Sequence, residues 1–353
     1  MTFRRLFLFS LLPLLPLGLV GCDLAGLDDS GPSPADGVYV ANQGNFGDGN
    51  GSVTVYDPAD QTAQPEAISG LGSIVQGVAL RDTSLLVMAN TGARVDLFST
   101  NGPTQTGQVT GFNSPRYATF TDETTAYITD QSPFGSSASP AVRILNVNGA
   151  QSQVVDSIPV SGNPEGIAVS EPTDRAFAAL GAFGASTLVA VLNTSQNTLD
   201  REVDIGCAPR DVVADNDGDV FALCSDAASA VILDAGSGTV DTTLALPDTA
   251  ESASGVGDPA SYDADSEELY IASDSGIIRV NTASNTVEAT VNVGLSRTPG
   301  AVGYDSGDGV LYVARLNPSS PFTSAGTVTI HERDGTQMGS FGAGIAPTYI
   351  AFR

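Results

Sequence analysis

A short strand motif that recurs along the chain is the feature that most restricts its fold. The motif has the form x-Pro-x-x-apolar-Ala-apolar, as in Asn163-Pro164-Glu165-Gly166-Ile167-Ala168-Val169. Its copies stand near the following residues: Gln76, Pro115, Pro164, Pro209, Pro259, Pro299 and Pro347. They are spaced about 40 to 50 residues apart, which is the blade length of β-propellers. The sequence therefore predicts an all-β fold, a β-propeller with seven blades.

Each copy is followed by segments that suit three further strands. A turn rich in Asp, Gly and Thr leads to a second strand of the form apolar-Tyr-apolar-Ala, as at 269–272. A variable loop leads to a third strand that ends near Asp or Asn, as at 189–193, and the fourth strand ends in Gly, as at 287–294. Alternation at period two is typical of half-buried strands, and helical periodicity is nearly absent. We expect four antiparallel strands in each blade.

The two ends of the chain carry complementary parts of one repeat. Residues 346–352 form a first-strand copy with no second strand after it, whereas the N-terminal copy at 38–42 begins at its second strand. The C-terminal strand is therefore expected to pair into the first blade and close the ring, which protects sheet edges from aggregation. An open β-solenoid is the alternative architecture, but a solenoid has no reason to split one repeat between both termini.

Residues 1–22 are predicted to be a lipoprotein signal peptide outside the fold. Arg4 and Arg5 form a basic start, and the apolar stretch 6–19 is too short and too interrupted by Pro for a stable membrane span. The segment Leu19-Val20-Gly21-Cys22 resembles a bacterial lipobox, in which Cys22 is lipidated and becomes the mature N-terminus. A plain secretory peptide with a chance Cys is the alternative.

Residues 23–36 are predicted to be a flexible acidic tether, because the segment holds several Asp, Gly and Pro residues and buries little. Acidic residues at this place resemble the surface-export signal of some outer-membrane lipoproteins. The expected location is therefore the outer membrane, with the body at the cell surface and contact to the membrane through the lipid anchor only. Residues 37–353 remain for the propeller.

The charge of the chain excludes some classes of partner. The formal net charge is −26, and all 14 basic residues are Arg. Nucleic-acid binding requires a basic footprint, and an anionic lipid surface would repel this body. An acidic composition without Lys indicates adaptation to high salt, where charge repulsion is screened. Ordinary surface acidity is the alternative interpretation.

The opening strand and loop carry a family resemblance. The repeats resemble the YVTN-repeat, YncE-like propellers, and the opening Val38-Tyr39-Val40-Ala41-Asn42-Gln43-Gly44-Asn45-Phe46-Gly47 is similar to that of a family of surface propeller lipoproteins. That family includes the BtuG-type cobalamin-capturing proteins, which sit over a TonB-dependent outer-membrane barrel. Gln43 stands where the family usually has Glu, and Phe46 where Trp is common. The resemblance implies capture of a ligand, with a corrinoid such as cobalamin as the first candidate and a TonB-dependent barrel as the partner.

The topology of a propeller indicates where a ligand would bind. The first strand of each blade starts at one face, and the loops between second and third strands return to that face, so two sets of loops converge at one end of the central channel. Aromatic side chains offer flat stacking surfaces, and Arg donates in pairs to amide, carboxylate or phosphate groups. The candidate ligand-binding residues are Asn42, Gln43, Asn45, Phe46, Arg94, Arg116, Tyr117, Phe134, Phe183, Arg210, Arg297, Arg315 and Phe322. A glycan or a peptide would suit such groups equally, and the alternative is that the Arg residues pair with nearby carboxylates while the Phe residues pack loop against loop.

The remaining reactive residues favour a binding protein over an enzyme. Cys207 and Cys224 are expected at the same rim of one blade, where a disulfide would add roughly 3 kcal/mol; two free buried thiols are the alternative. With these and the single His331, no dedicated transition-metal site and no cofactor are expected. The segment 215–219 resembles the start of a calcium loop but is interpreted as a hairpin turn. The alternatives to ligand capture are a cell-surface scaffold or adhesin, and a hydrolase or lactonase based on carboxylates.

Overall fold

A computed structural model describes residues 37–252, 257–294 and 298–353. The predicted signal peptide, Cys22 and the tether 23–36 lie outside the described residues, as does Arg297. Within the described residues there are 28 strands, and helical structure is confined to three short 3-10 turns, Gly149–Gln151, Glu171–Thr173 and Ala182–Gly184. No helix in this part of the chain is both long enough and apolar enough to span a membrane.

The strands form seven antiparallel sheets of four strands, which are the blades of a β-propeller. Blade 1 contains β1 (Val38–Asn42), β2 (Ser52–Asp57) and β3 (Thr62–Ile68), and blade 2 contains β4 (Val75–Arg81), β5 (Ser84–Ala89), β6 (Arg94–Ser99) and β7 (Thr104–Thr110). Blade 3 contains β8 (Pro115–Phe120), β9 (Thr125–Asp130), β10 (Ala141–Asn146) and β11 (Gln153–Pro159), and blade 4 contains β12 (Ile167–Ser170), β13 (Arg175–Ala179), β14 (Leu188–Asn193) and β15 (Thr198–Asp204).

The second half of the ring follows the same plan. Blade 5 contains β16 (Pro209–Ala214), β17 (Asp219–Cys224), β18 (Ser229–Asp234) and β19 (Thr239–Ala245). Blade 6 contains β20 (Ala260–Asp263), β21 (Glu268–Ser273), β22 (Gly276–Asn281) and β23 (Thr286–Val291). Blade 7 contains β24 (Ala301–Asp305), β25 (Val310–Arg315), β26 (Ala325–Glu332) and β27 (Gln337–Ile345), and β28 (Pro347–Phe352) returns to blade 1.

The ring is closed by the C-terminal strand, as the complementary chain ends predict. β28 pairs antiparallel with β1, and Val38 lies opposite Phe352 while Val40 lies opposite Ile350. β28 thereby becomes the first, innermost strand of blade 1. The first strands of successive blades contact one another around the central channel. The prediction of seven closed blades is confirmed.

The core consists of apolar layers between neighbouring blades. In β5, Leu86 and Met88 pack towards blade 3, whereas Leu85 and Val87 pack towards blade 1. A strand directs alternate side chains to opposite faces, so a middle strand that is covered on both sides needs apolar residues at every position. Among the described residues, seven main buried clusters fill the spaces between the blades in this way.

The start of β12 and the end of β23 differ from the predicted boundaries for local reasons. β12 begins only at Ile167 because Glu165 and Gly166 both bond to Ala179 of β13, which interrupts the regular register, while the N–H of Gly166 donates to the carbonyl of Arg210 in the next blade. β23 ends at Val291, short of the predicted Gly294. The side chain of Asn292 accepts a hydrogen bond from the N–H of Gly294, whose φ of +67° turns the chain out of the sheet.

Candidate functional site

A cavity of about 600 Å³ opens on one face of the ring, which we call the loop face. It is the face at which the first strands begin and to which the loops between second and third strands return. The loop-face cavity is lined by residues of blades 1 to 4, and its size lies within the range of small-molecule sites. Five of the predicted ligand-binding residues meet there: Gln43, Phe46, Arg116, Phe134 and Phe183.

Three phenylalanines of the loop-face cavity expose their rings to solvent. Phe46 is 75% exposed, Phe183 is 78% exposed and Phe134 is fully exposed. They come from the second-to-third-strand loops of blades 1, 4 and 3, and we call them the phenylalanine rim. Phe322 occupies the same kind of loop in blade 7 but is only 38% exposed and does not line the cavity. The rim therefore gathers flat apolar surface around one opening.

Local backbone structure holds these rings outward. The side chain of Asn45 accepts a hydrogen bond from the N–H of Gly47 at 2.8 Å, which forms a tight turn around Phe46. Phe183 has a φ of +56°, a left-handed conformation that a bulky residue rarely adopts. Such strained residues are found preferentially at ligand-binding sites, where the surrounding structure fixes them.

Three side-chain amides occupy equivalent positions in the wall of the loop-face cavity. Gln43, Asn90 and Gln131 each follow the second strand of their blade, in blades 1, 2 and 3, and we call them the amide trio. Asn90 Nδ2 donates to the carbonyl of Pro115 at 3.0 Å, and Gln131 Nε2 donates to that of Pro164 at 3.1 Å. Gln43 Oε1 is buried and has no hydrogen-bond partner in the protein.

Arg116 lies in the cavity wall but its charge is already paired. Its Nη2 and Nε donate to Glu165 Oε2 at 2.7 and 3.1 Å, and its Nη1 donates to Gln76 Oε1 at 3.3 Å. Both partners of this ion pair are buried. Burial works against the charged form of Arg116, but the nearby Glu165 outweighs it, so that the pKa of Arg116 is raised. The guanidinium of Arg116 is therefore held in an ion pair whose net charge is zero.

The other described arginines of the candidate set lie outside the loop-face cavity. Arg94 pairs with Asp96 at 3.0 Å and donates to the carbonyl of Leu71. Arg210 Nη2 donates to Ser252 Oγ at 2.7 Å and to the carbonyl of Gly257. Arg315 donates to Thr329 Oγ1 at 2.7 Å and to the carbonyl of Val293.

The remaining candidates shape the loop or the channel. Asn42 is fully buried, and its Nδ2 donates to Ser52 Oγ and Thr54 Oγ1 between the strands of blade 1. Tyr117 is buried beside Arg116, whose Cζ lies 5.7 Å from the centre of the tyrosine ring, and it stacks on Tyr349 at 5.8 Å. Both tyrosines line a second cavity in the central channel rather than the loop-face cavity.

This second space, the channel cavity, has a volume of about 260 Å³ and contains a pair of acids. Asp211 and Asp258 come from neighbouring blades, and their carboxyl groups are hydrogen-bonded to each other. Burial raises the pKa of Asp211 to about 6. Burial and the charge of Asp211 raise the pKa of Asp258 well above its ordinary value, so the pair favours one shared proton over two ionised carboxylates.

Sequence reasoning missed several residues of these two cavities. Asn90 and Gln131 directly follow the second strand of their blade, as Gln43 does, and this equivalence could have identified them as candidates. Glu165 directly follows Pro164, the position that Arg116 takes after Pro115, and Asp258 directly precedes Pro259. The motif therefore marks where the channel-lining residues stand, but it does not show which of them face one another.

The cysteine, histidine and turn residues take structural places. Cys207 and Cys224 form a disulfide in blade 5. His331 is buried in β26, between Thr329 Oγ1 and the carbonyl of Gly335, and burial lowers its pKa. Asp215 Oδ1 accepts from three successive N–H groups of the turn 217–219, as the hairpin interpretation predicts. Within the described ranges no group of three or more His, Cys, Asp or Glu is placed to hold a metal ion.

The fold and these cavities define a seven-bladed β-propeller with a ligand-sized opening on one face. A family model described as a domain of unknown function, DUF5074, matches residues 36–346, and the chain belongs to that family. The comparison with curated proteins gives no match.

Two solved structures show the same fold at low sequence identity. One is a functionally unknown protein from Desulfotomaculum acetoxidans, with a TM-score of 0.68 and 13% identity over 90% of this chain and 99% of that one. The other is the hydrazine synthase of Kuenenia stuttgartiensis, with a TM-score of 0.64 and 15% identity over 78% of this chain and 88% of that one. At such identities the likeness shows the propeller fold alone.

Proposed function

We propose that this protein captures a small ligand with a flat face in the loop-face cavity, without chemical conversion. The observation that carries the proposal is the phenylalanine rim: three rings on three separate loops stand exposed around a single opening. A water-exposed aromatic ring gains free energy when a flat apolar surface covers it, and such rings lose little conformational entropy on binding. A scaffold would need no such cavity, so this arrangement favours capture.

A corrinoid such as cobalamin is the ligand that we propose first. Its flat macrocycle would stack between rings of the phenylalanine rim, and its peripheral amides would meet the polar wall. The resemblance of the opening segment 38–47 to cobalamin-capturing propeller lipoproteins supports this choice. The same resemblance supports a wider proposal, in which Cys22 anchors the protein to the outer membrane and the ligand passes to a TonB-dependent barrel.

The test is a calorimetric titration of the protein with cyanocobalamin in high salt. We expect saturable binding with one ligand per protein, and a loss of about tenfold in affinity for Phe134→Ala. Phe322→Ala is the matched control, because it removes an exposed phenylalanine from the same kind of loop outside the cavity. Absence of heat at millimolar ligand, with a folded protein, would exclude the corrinoid.

A carboxylate-based hydrolase is the second candidate, and one observation favours it. The Asp211–Asp258 pair places two hydrogen-bonded carboxyl groups with raised pKa values in the channel cavity, an arrangement that general acid–base catalysis can use. Turnover of chromogenic esters or glycosides that disappears in Asp258→Asn would support this function. Turnover that survives the substitution would exclude the pair as its source.

A further inference from the structure

We propose that the amide trio selects ligands whose inserted edge is uncharged and rich in hydrogen-bond donors, either carboxamide or hydroxyl groups. This inference rests on the proposed function, since it concerns the same loop-face cavity, but it names the chemistry that the cavity accepts. It also assigns Gln43, Asn90 and Gln131 as the residues that determine specificity.

The propeller fold does not require an amide at the position that follows the second strand of a blade. The residues that follow the second strands of blades 4, 5, 6 and 7 are Leu180, Ser225, Asp274 and Leu316. Blades 4 to 7 pack into the same ring as blades 1 to 3 without an amide at this position. An amide is therefore not needed for blade packing. The amides are confined to three blades that surround the loop-face cavity.

The unpaired oxygen of Gln43 and the fixed orientation of the other two amides favour donors on the ligand. One N–H of Asn90 and one N–H of Gln131 donate to carbonyls of the next blade, which fixes the direction of each amide; each NH2 group keeps a second N–H, and each oxygen can accept. Gln43 Oε1 is buried without a partner. A buried acceptor without a donor is unfavourable, and a ligand N–H or O–H would satisfy it. Gln43 therefore calls for a donor on the ligand, and the oxygens of Asn90 and Gln131 can accept further ones.

The lining of the loop-face cavity offers no unpaired charge. Among the described residues that line it there is no Asp or Glu, although the chain carries 40 such residues. Arg116 is the cationic side chain of the lining, and Glu165 neutralises it. A buried ligand charge of either sign would find no counter-charge there and would lose its hydration. The cavity is thus suited to an uncharged edge.

The test uses two uncharged substitutions of Gln43, which keep or delete the acceptor. Gln43→Asn keeps the amide oxygen on a side chain that is shorter by one CH2 group, whereas Gln43→Met removes the amide at similar volume. Affinities are measured by calorimetry for three probes: cyanocobalamin as the carboxamide source, maltoheptaose as the hydroxyl source, and a monocarboxylic acid derivative of cyanocobalamin as the anionic comparison.

We expect one neutral probe to bind, and which one binds identifies the source of the donors. Gln43→Met should weaken that binding by about five- to tenfold, as expected for an uncompensated hydrogen bond, while Gln43→Asn, which keeps the amide oxygen, should remain within about threefold of the original protein. The acid derivative should bind more weakly than cyanocobalamin.

Three results would overturn the inference: equal losses for both substitutions, tighter binding of the acid derivative, or no binding of either neutral probe. Phe134→Ala is measured in parallel, so that the two proposals fail separately. If Phe134→Ala weakens binding and both Gln43 substitutions weaken it equally, ligand capture is supported but the role of Gln43 in specificity is contradicted. If the Gln43 substitutions behave as expected but Phe134→Ala has no effect, ligand binding by the phenylalanine rim is excluded, while the role of Gln43 in specificity is supported.

Discussion

Arg116 of blade 3 and Glu165 of blade 4 form a buried ion pair, with Nη2 2.7 Å from Oε2, beside the loop-face cavity. The pair joins the starts of two neighbouring blades at the channel, where the strands come closest together. Both side chains are almost completely removed from water, so each depends on the other for compensation of its charge.

Removal of one partner of this pair should destabilise the ring strongly. We expect Arg116→Met to lower the free energy of unfolding by about 3 to 5 kcal/mol, because it leaves the Glu165 carboxylate buried without a counter-charge. The double substitution Arg116→Met with Glu165→Leu should recover most of this loss. Urea unfolding measures both, and Asp200→Asn is the control, since the pair of Asp200 with Arg175 is partly exposed and should contribute less than about 1 kcal/mol. A double variant as unstable as the single one would contradict the explanation.

The acid pair of the channel cavity should make stability fall as pH rises. Unfolding returns Asp211 and Asp258 to their ordinary low pKa, whereas burial in the folded ring raises the pKa of Asp211 to about 6 and that of Asp258 well above its ordinary value. The folded state therefore binds the protons more tightly, and its stabilisation is lost as pH rises through about 6. The neighbouring charges of Arg210 and Glu165 act in opposite directions on Asp211.

Unfolding by urea between about pH 5 and pH 8 measures this dependence. The decline should amount to something on the order of 2 kcal/mol, and the double substitution Asp211→Asn with Asp258→Asn should remove most of it, because neither amide titrates. Asp204→Asn is the control, since its carboxylate is exposed and lies outside the channel. A double variant with an unchanged pH profile would show that the pair does not titrate in this range.

The disulfide of blade 5 should stabilise the propeller measurably. Cys207 and Cys224 are 17 positions apart in the sequence, and restriction of the unfolded chain over a loop of this size predicts about 3 kcal/mol. The variant with Ala at both positions should unfold at correspondingly lower urea. Reductant should bring the original protein to the same midpoint and leave the variant unchanged. Equal midpoints for the oxidised and reduced protein would show that the bond contributes nothing.

The fold could be predicted from the sequence because its information is local and repeated. Pro115, Pro209 and Pro347 each open a first strand as the motif predicts. Exposed phenylalanines were also predictable, since Phe46 stands in a glycine-rich loop and Phe134 in a loop rich in Ser and Pro, each between two apolar strands.

The partners of charged groups were not predictable in the same way. Arg116 meets Glu165, which lies 49 residues further along the chain, and Arg210 meets Ser252 of a loop in the next part of the ring. The motif indicates where a strand begins but not the direction of each long side chain. The sequence therefore predicted Arg94, Arg210 and Arg315 as ligand-binding residues. In the structure their side chains donate to protein groups. A buried charge needs a partner, and that partner can be distant in the sequence. Only the three-dimensional arrangement shows which residue it is.

The last strand should be essential for folding of the whole ring. Deletion of residues 347–353 removes β28, which supplies the innermost strand of blade 1 and covers Val38 and Val40. The edge of β1 would then be unpaired and the apolar layers on both sides of blade 1 would open, because Ile350 packs towards blade 7 and Tyr349 towards blade 2. We expect loss of the cooperative unfolding transition and aggregation, measured by urea unfolding and light scattering. Deletion of Arg353 alone, which follows β28, is the control and should leave the transition intact; a truncated protein that still unfolds cooperatively would show that the ring does not depend on this closure.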